Sequence, residues 1–264
     1  MASPVPSTVP AVVTGASSGI GAEFARQLAA RGHRLTIIAR RVDRLEALAA
    51  ELSAAHKVDV AVLGADLETA KGRTSVARAV RDGGPCILVN NAGFGTRGRL
   101  SDLDPGRERA EVQVNVVALH ELTLAALPGL MTAKAGGVIN LASTAAFQPL
   151  PFMATYSATK AFVLHFSEAL AYEMRGSGVR VMALCPGPVR TEFGGVAGVE
   201  DYMQLARPMT VSVERCVATA LRSFDKGHAI CVPGALNGVL AVGARVSPRG
   251  LVRRITGPVF APRN

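Results

Sequence analysis

A doubly wound α/β domain on a seven-stranded parallel sheet is the fold this sequence predicts, and three observations predict it. Short apolar runs alternate with helix-length amphipathic stretches along the chain. Those runs are continuously apolar instead of alternating, as strands covered by helices on both faces are. The junction between the first run and the first helix is a glycine-rich turn. With 264 residues, 49% apolar and 19% charged, the chain suits one large core and is too apolar for disorder.

The elements follow in order. Strands are expected at 9–13, 34–39, 58–63, 86–90, 137–142, 179–185 and 229–232, each a run of apolar residues long enough to cross a sheet. Between them lie helices: 20–31 stops at Gly32, and 42–52 opens after two arginines. Further helices are expected at 107–134, 156–175 and 213–224, the last capped by Ser212. No repeat or linker divides the chain. The expected organisation is a mobile arm at 1–8, one folded domain at 9–234 and an apolar, basic C-terminal extension at 235–264.

Composition narrows the function classes. The charge-free stretches 135–159 and 227–244 are interrupted by prolines, asparagines and glycines, so neither offers the ~20 continuous apolar residues of a membrane span. The first ten residues have no basic residue and no apolar core, so no secretory signal is expected and the location expected is cytoplasmic. Cys86, Cys185, Cys216 and Cys231 are widely spaced and form no cluster with histidine, so no metal is expected. Net charge is +9, and after Asp225 there is no acid while six basic residues, Lys226, Arg245, Arg249, Arg253, Arg254 and Arg263, follow. That tail reads first as a subunit contact, with a solvated terminus and, behind it, an interfacial anchor for anionic lipid as the alternatives. No nucleic-acid partner is expected, because no recognition motif or aromatic-interleaved basic stripe accompanies the charge.

The turn Thr14-Gly15-Ala16-Ser17-Ser18-Gly19-Ile20-Gly21 lies between a strand and a helix, the context in which such a turn binds a diphosphate. Gly15 permits the tight bend, Gly19 lets the backbone approach a pyrophosphate, and Gly21 lets the helix pack on its strand. The diphosphate would sit at the helix N-terminus, among free N–H groups. An acid after the second strand would hold the ribose 2′-OH of NAD; this strand ends in Ala39, followed by Arg40 and Arg41. Guanidinium groups there suit a 2′-phosphate, so the cofactor expected is NADP(H).

Tyr156 and Lys160 stand four apart on one helix face. An adjacent ammonium favours phenolate and is expected to lower the tyrosine's pKa. The glycine spacing joins with Asn90-Asn91-Ala92-Gly93, Asn115, Ser143, the Tyr156/Lys160 pair and Pro186-Gly187-Pro188-Val189-Arg190-Thr191. In this order the set resembles the short-chain dehydrogenase/reductase family over nearly the whole chain, and most closely its NADPH-using general carbonyl reductases.

That resemblance implies a Rossmann-like catalytic domain and hydride transfer between NADP(H) and a carbonyl or alcohol. It implies that Tyr156 donates the proton, Ser143 hydrogen-bonds the same oxygen, Lys160 also binds the nicotinamide ribose, and Asn115 holds a relay water. It places Gly15, Ser17, Ser18, Gly19, Ile20 and Gly21 at the diphosphate, and Arg40 and Arg41 at the 2′-phosphate. Asp66 and Leu67 fall at the adenine, Asn90, Ala92 and Gly93 at its ribose, and Pro186, Gly187, Val189 and Thr191 at the carboxamide. A non-catalytic dinucleotide sensor is the alternative. The segments around Phe147, Leu150, Pro151, Phe152 and Met153, and around Phe193, Val196, Val199, Tyr202 and Met203, are apolar, so an apolar small-molecule substrate is expected. Surplus apolar residues on the helices at 107–134 and 156–175, including Val112, Leu119, Leu122, Phe162, Val163 and Tyr172, point to a homodimer or homotetramer.

Overall fold

The computed structural model describes residues 5–262. Seven parallel strands form one sheet in the order β3-β2-β1-β4-β5-β6-β7. They are β1 (Ala11–Thr14), β2 (Leu35–Ala39), β3 (Val60–Gly64), β4 (Ile87–Asn90), β5 (Gly137–Leu141), β6 (Arg180–Leu184) and β7 (Ile230–Cys231). Each lies within the run that predicts it or one residue beyond. Winding reverses between β1, which pairs with β2 on one side, and β4 on its other, with Ala11 against both Leu35 and Ile87.

Alternating side chains along a strand serve opposite faces. Val13 and Ala11 face α1 (Gly19–Ala30), α2 (Val42–His56) and α9 (Val213–Asp225), packing with Phe24, Leu28, Leu45 and Phe224. Val12 faces α3 (Ala70–Asp82) and α5 (Leu119–Ala133), packing with Val76, Leu122 and Leu130. Helix α6 (Ala154–Glu173) completes that layer with Val163 and Leu164 against Ala183 and Cys185. All four cysteines are free and buried.

The chain departs from its sequence expectation at four places. Helix α3, absent from the expected elements, has Val76 and Val80 as its buried aliphatic residues, too few for a stripe, and starts from Thr69, whose hydroxyl accepts the Gly72 N–H. The long helix expected at 107–134 is broken into α4 (Pro105–Val112), a π-helical turn (Gln113–Ala118) and α5. By length and composition the stretch Pro105–Ala133 could cross a membrane, yet it buries Ala118, Leu122 and Leu130 against the sheet. The tail forms two helices, α10 (Ala235–Val246) and α11 (Arg249–Phe260). Finally, between β6 and α9 lie the short helices α7 (Phe193–Ala197) and α8 (Glu200–Leu205). Of the arm expected at 1–8, residues 1–4 lie outside the described residues, as does Arg263 of the tail; Val5 is buried in the core.

Candidate active site

Where β1 and β4 part, their carboxyl ends open a cleft of about 1210 Å³, the position in which doubly wound sheets hold ligands. Thr14 fixes this fork: its hydroxyl accepts the backbone N–H groups of Asn91 and Ala92, each at 3.0 Å. The Asn91 side chain donates back to the Thr14 carbonyl at 2.8 Å.

Gly15 and Gly19 take left-handed φ of 65° and 56°, the conformations glycine adopts without strain. A Cβ on Gly21 would stand 2.4 Å from the Gly15 carbonyl oxygen, so only glycine lets α1 close on the turn. Ser17, Ser18, Gly19 and Ile20 line the cleft with Gly15. So do Arg40 and Arg41, Asp66 and Leu67, Ala92 and Gly93, and Pro186, Gly187, Val189 and Thr191. Asn90 is not brought to the cleft. Its amide donates to Asn140 Oδ1 at 2.9 Å and Thr123 Oγ1 at 3.1 Å within the sheet–helix layer. The adjacent Asn91 lines the cleft in its place.

The two arginines differ. Arg41 donates to Ser17 Oγ and Ser18 Oγ, each at 3.0 Å through Nη2, and pairs with Glu192 at 2.9 Å. Arg40 is exposed and makes no hydrogen bond or ion pair among the described residues. Arg44 also pairs with Glu192, at 2.6 Å. Hydrogen bonds from Arg44 and Arg41 hold the Glu192 carboxyl down at about 2.

At the inner end, β5 delivers Ser143 and α6 delivers Tyr156 and Lys160. Tyr156 is 8% exposed and Lys160 4%. Ser143 neighbours the Tyr156 phenol and acts to lower its pKa, and its Oγ accepts the Ala145 N–H at 3.1 Å. Lys160 Nζ donates to the Leu141 carbonyl at 2.7 Å and lies 5.8 Å from the Tyr156 ring centre. The phenol's pKa is raised, not lowered as the Tyr-Lys spacing predicts. Desolvation of the phenolate outweighs the effect of Ser143. Burial brings Lys160 down to about 8.

Asn115 sits in the π turn, beside the site without lining it. Its amide clamps Phe94, accepting from the backbone N–H at 3.1 Å and donating to the carbonyl at 2.9 Å, and donates to Thr159 Oγ1 at 3.1 Å. A Cβ on Gly93 would meet Asn115 Oδ1 at 2.8 Å and Lys160 Nζ at 3.4 Å. The bare backbone there keeps the space between turn and lysine open. Such π turns are frequent at functional sites.

The outer wall is apolar: Leu150, Met153, Phe193, Val196, Val199, Tyr202 and Met203 line it, as expected, while Phe147, Pro151 and Phe152 do not. Three residues that the sequence did not single out complete the site. Phe260, at the end of α11, lines the wall. Arg97 holds it there, donating to the Phe260 and Ala261 carbonyls at 2.8 and 2.6 Å and pairing with Asp201 at 2.5 Å. Glu111 is fully buried on α4, with its carboxyl raised to about 7 by desolvation. A lone arginine after a strand and a lone glutamate within an amphipathic helix carry no motif by which a sequence could flag them.

A cleft with a glycine cradle at one end, free and held guanidinium groups at its rim and a Ser-Tyr-Lys cluster with buried tyrosine and lysine at the other fits an extended anionic dinucleotide. Residues 10–199 match the family model described as short chain dehydrogenase. In Sphingobium yanoikuyae, a short-chain dehydrogenase solved in complex with NADPH is 36% identical, with a TM-score of 0.80, covering 92% of this chain and 95% of that one. The bulky-bulky ketone specific alcohol dehydrogenase from Comamonas testosteroni is 32% identical, with a TM-score of 0.78, covering 92% and 93%. The protein named inactive hydroxysteroid dehydrogenase-like protein 1 in Pongo abelii is 32% identical over 186 residues, which are 69% of this chain and 56% of that protein. The chain thus spans about half the length of the curated relatives of that kind.

Proposed function

Because this chain belongs to the short-chain dehydrogenase family, we propose that it is an NADP(H)-dependent oxidoreductase interconverting apolar ketones or aldehydes and their alcohols. The observation that carries this reading is the Ser143–Tyr156–Lys160 cluster, its tyrosine and lysine buried, at the inner end of the glycine-cradled cleft. The NADPH complex of the Sphingobium relative and the arginines at the rim support the cofactor. Lining by Leu150, Met153, Phe193 and Phe260 supports an apolar substrate, as does the ketone specificity named for the Comamonas relative.

When bound, the dinucleotide exchanges a hydride with the substrate carbon. Burial keeps the Tyr156 phenol protonated at neutral pH, so in reduction it serves as the acid that protonates the carbonyl oxygen. The Ser143 hydroxyl, already against the phenol, donates to the same oxygen and steadies its developing charge. Lys160 would supply positive charge near this oxygen and hold the nicotinamide ribose, while Asn115, which fixes the Phe94 backbone, would hold a relay water. The surviving apolar surplus on α4, α5 and α6 supports a homo-oligomer.

The test is Tyr156→Phe, which removes the acidic proton and keeps the ring. Turnover on a panel of ketones with NADPH is expected to fall at least roughly 10²-fold, with NADPH affinity nearly unchanged. Cofactor binding without turnover across the panel in the parent protein would favour the sensor reading, which the relative named inactive also brings forward.

A further inference from the structure

Glu111 is a buried acid that the mechanism above does not use. It is fully enclosed on α4, one helical turn before Asn115, and its Oε1 has no hydrogen-bond partner among the described residues. Its Oε2 lies 2.8 Å from Thr96 Oγ1, and Glu108 Oε1 lies 2.5 Å from that same hydroxyl. Glu108 is half-buried, and its other oxygen accepts from Thr155, the neighbour of Tyr156.

Thr96 has one hydroxyl hydrogen and two carboxyl groups to satisfy. If both were ionised, one carboxylate oxygen would face a lone pair at hydrogen-bond distance in a desolvated site. One added proton resolves this: a protonated carboxyl donates to Thr96 Oγ1, and Thr96 donates onward to the other. Moving that proton needs no displacement of heavy atoms. Glu111 Oε2 gives its proton to Thr96 Oγ1 as the Thr96 hydrogen passes to Glu108 Oε1, and the O–H bond at Glu111 is exchanged for one at Glu108. The buried acid is thereby connected to one that meets solvent.

The charged groups facing Glu111 among the described residues can be named. Glu108 on its own helix repels it, while Lys160 from α6 attracts it and is in turn held charged by it. Tyr156, also on α6, is the phenol its charge disfavours as phenolate. We propose that Glu111 is a positioning residue that sets the charge of Lys160, and that Thr96 and Glu108 are the path by which it exchanges its proton with solvent. With the proton on Glu108, Glu111 is a carboxylate and supports the ammonium; with the proton on Glu111, that support is withdrawn. The catalytic meaning rests on the reading of Tyr156 and Lys160 above, whereas the coupling itself does not.

The experiment is an NMR pH titration of the full chain, cofactor-free, labelled with ¹³Cε-lysine, with Lys160→Arg to assign the resonance. Glu111→Gln keeps the shape and cannot ionise, so the Lys160 midpoint is expected to fall by roughly half a pH unit or more. Glu108→Gln should move it the opposite way, because its amide donates to Thr96 and turns that hydroxyl toward an ionised Glu111. In a Thr96→Val background the Glu108→Gln shift should vanish. The alkaline limb of kcat/KM should follow the Lys160 midpoint in each variant. Unchanged midpoints, or shifts of the same sign in both glutamine variants, would overturn the proposal. Should Glu111→Gln fail to fold, the Glu108→Gln shift and its loss with Thr96→Val decide it alone. Opposite shifts together with a fully active Tyr156→Phe would leave the coupling intact and remove the catalytic reading.

Discussion

At the scale of single residues, the rim of the cleft sets two arginines in different states. Arg41 is already occupied by Ser17, Ser18 and Glu192, while Arg40 is unpaired among the described residues. A 2′-phosphate would therefore meet Arg40 freely and would compete with Glu192 for Arg41. Arg40→Ala is expected to weaken NADPH by about 10- to 150-fold, the range of a charge-assisted contact of roughly 1.5–3 kcal/mol, with little change for NADH. Glu192→Gln should act in reverse, tightening NADPH by about 1.5- to 5-fold, as the loss of an exposed competing pair allows. Fluorescence titration with both cofactors checks the two variants, and equal effects on NADPH and NADH would assign these residues to the fold or the adenine. The arginines were legible in the sequence because the missing acid at Ala39 is a local signal. Glu192, Glu111 and Arg97 were not, because each acquires its role from partners far away in sequence. The direction of the Tyr156 shift was misread for a related reason: spacing places the ammonium nearby but says nothing of burial, which outweighs it.

At the scale of elements, the first turn of α1 shows how closely one glycine joins fold to site. Alanine at Gly21 would drive its Cβ to 2.4 Å from both the Gly15 carbonyl oxygen and Asn91 Nδ2. Overpacking of this kind costs about 1–3 kcal/mol, so Gly21→Ala should lower Tm by several degrees and weaken the dinucleotide further by displacing the turn. Gly238 on α10 is the control: a Cβ there meets nothing within 4 Å, and Gly238→Ala should leave Tm unchanged or raise it through helix propensity worth up to about 1 kcal/mol. Calorimetry of the two variants with and without NADPH separates the effects. All seven strands were legible: the inner ones are buried on both faces and so almost wholly apolar, and the edge strand β3 keeps an apolar run although Ala61 and Gly64 are exposed. The helices legible by period were those with a full apolar stripe; α3 was hidden because Val76 and Val80 alone do not make one. The break at Gln113–Ala118 left no trace in the apolar pattern, because no proline or glycine interrupts the run through the π turn.

At the scale of the whole molecule, much of the expected surplus on the two long helices is core: Leu119, Leu122 and Val163 are buried. What stays exposed on those helices is Val112, Leu124, Met131, Phe162 and Tyr172, a narrower band than the sequence suggests. Such a band is expected to be covered by a second copy, so light scattering at micromolar concentration should report at least twice the mass of one chain. A monomer would return this surface to solvent and leave the exposed apolar residues of α10 and α11 as the larger patch. The strand order also dictates how the protein comes into being. β1 is made early yet lies inside the sheet, and its second neighbour, the central β4, arrives only when Ile87 to Val89 reach Ala11 to Val13. Until then a continuously apolar strand stands with one edge open, an aggregation hazard that slow, non-local parallel pairing prolongs. Refolding from urea should therefore show a rollover at low denaturant and yields that fall as protein concentration rises; a linear, single-exponential, concentration-independent limb would mean that the two halves of the sheet close together.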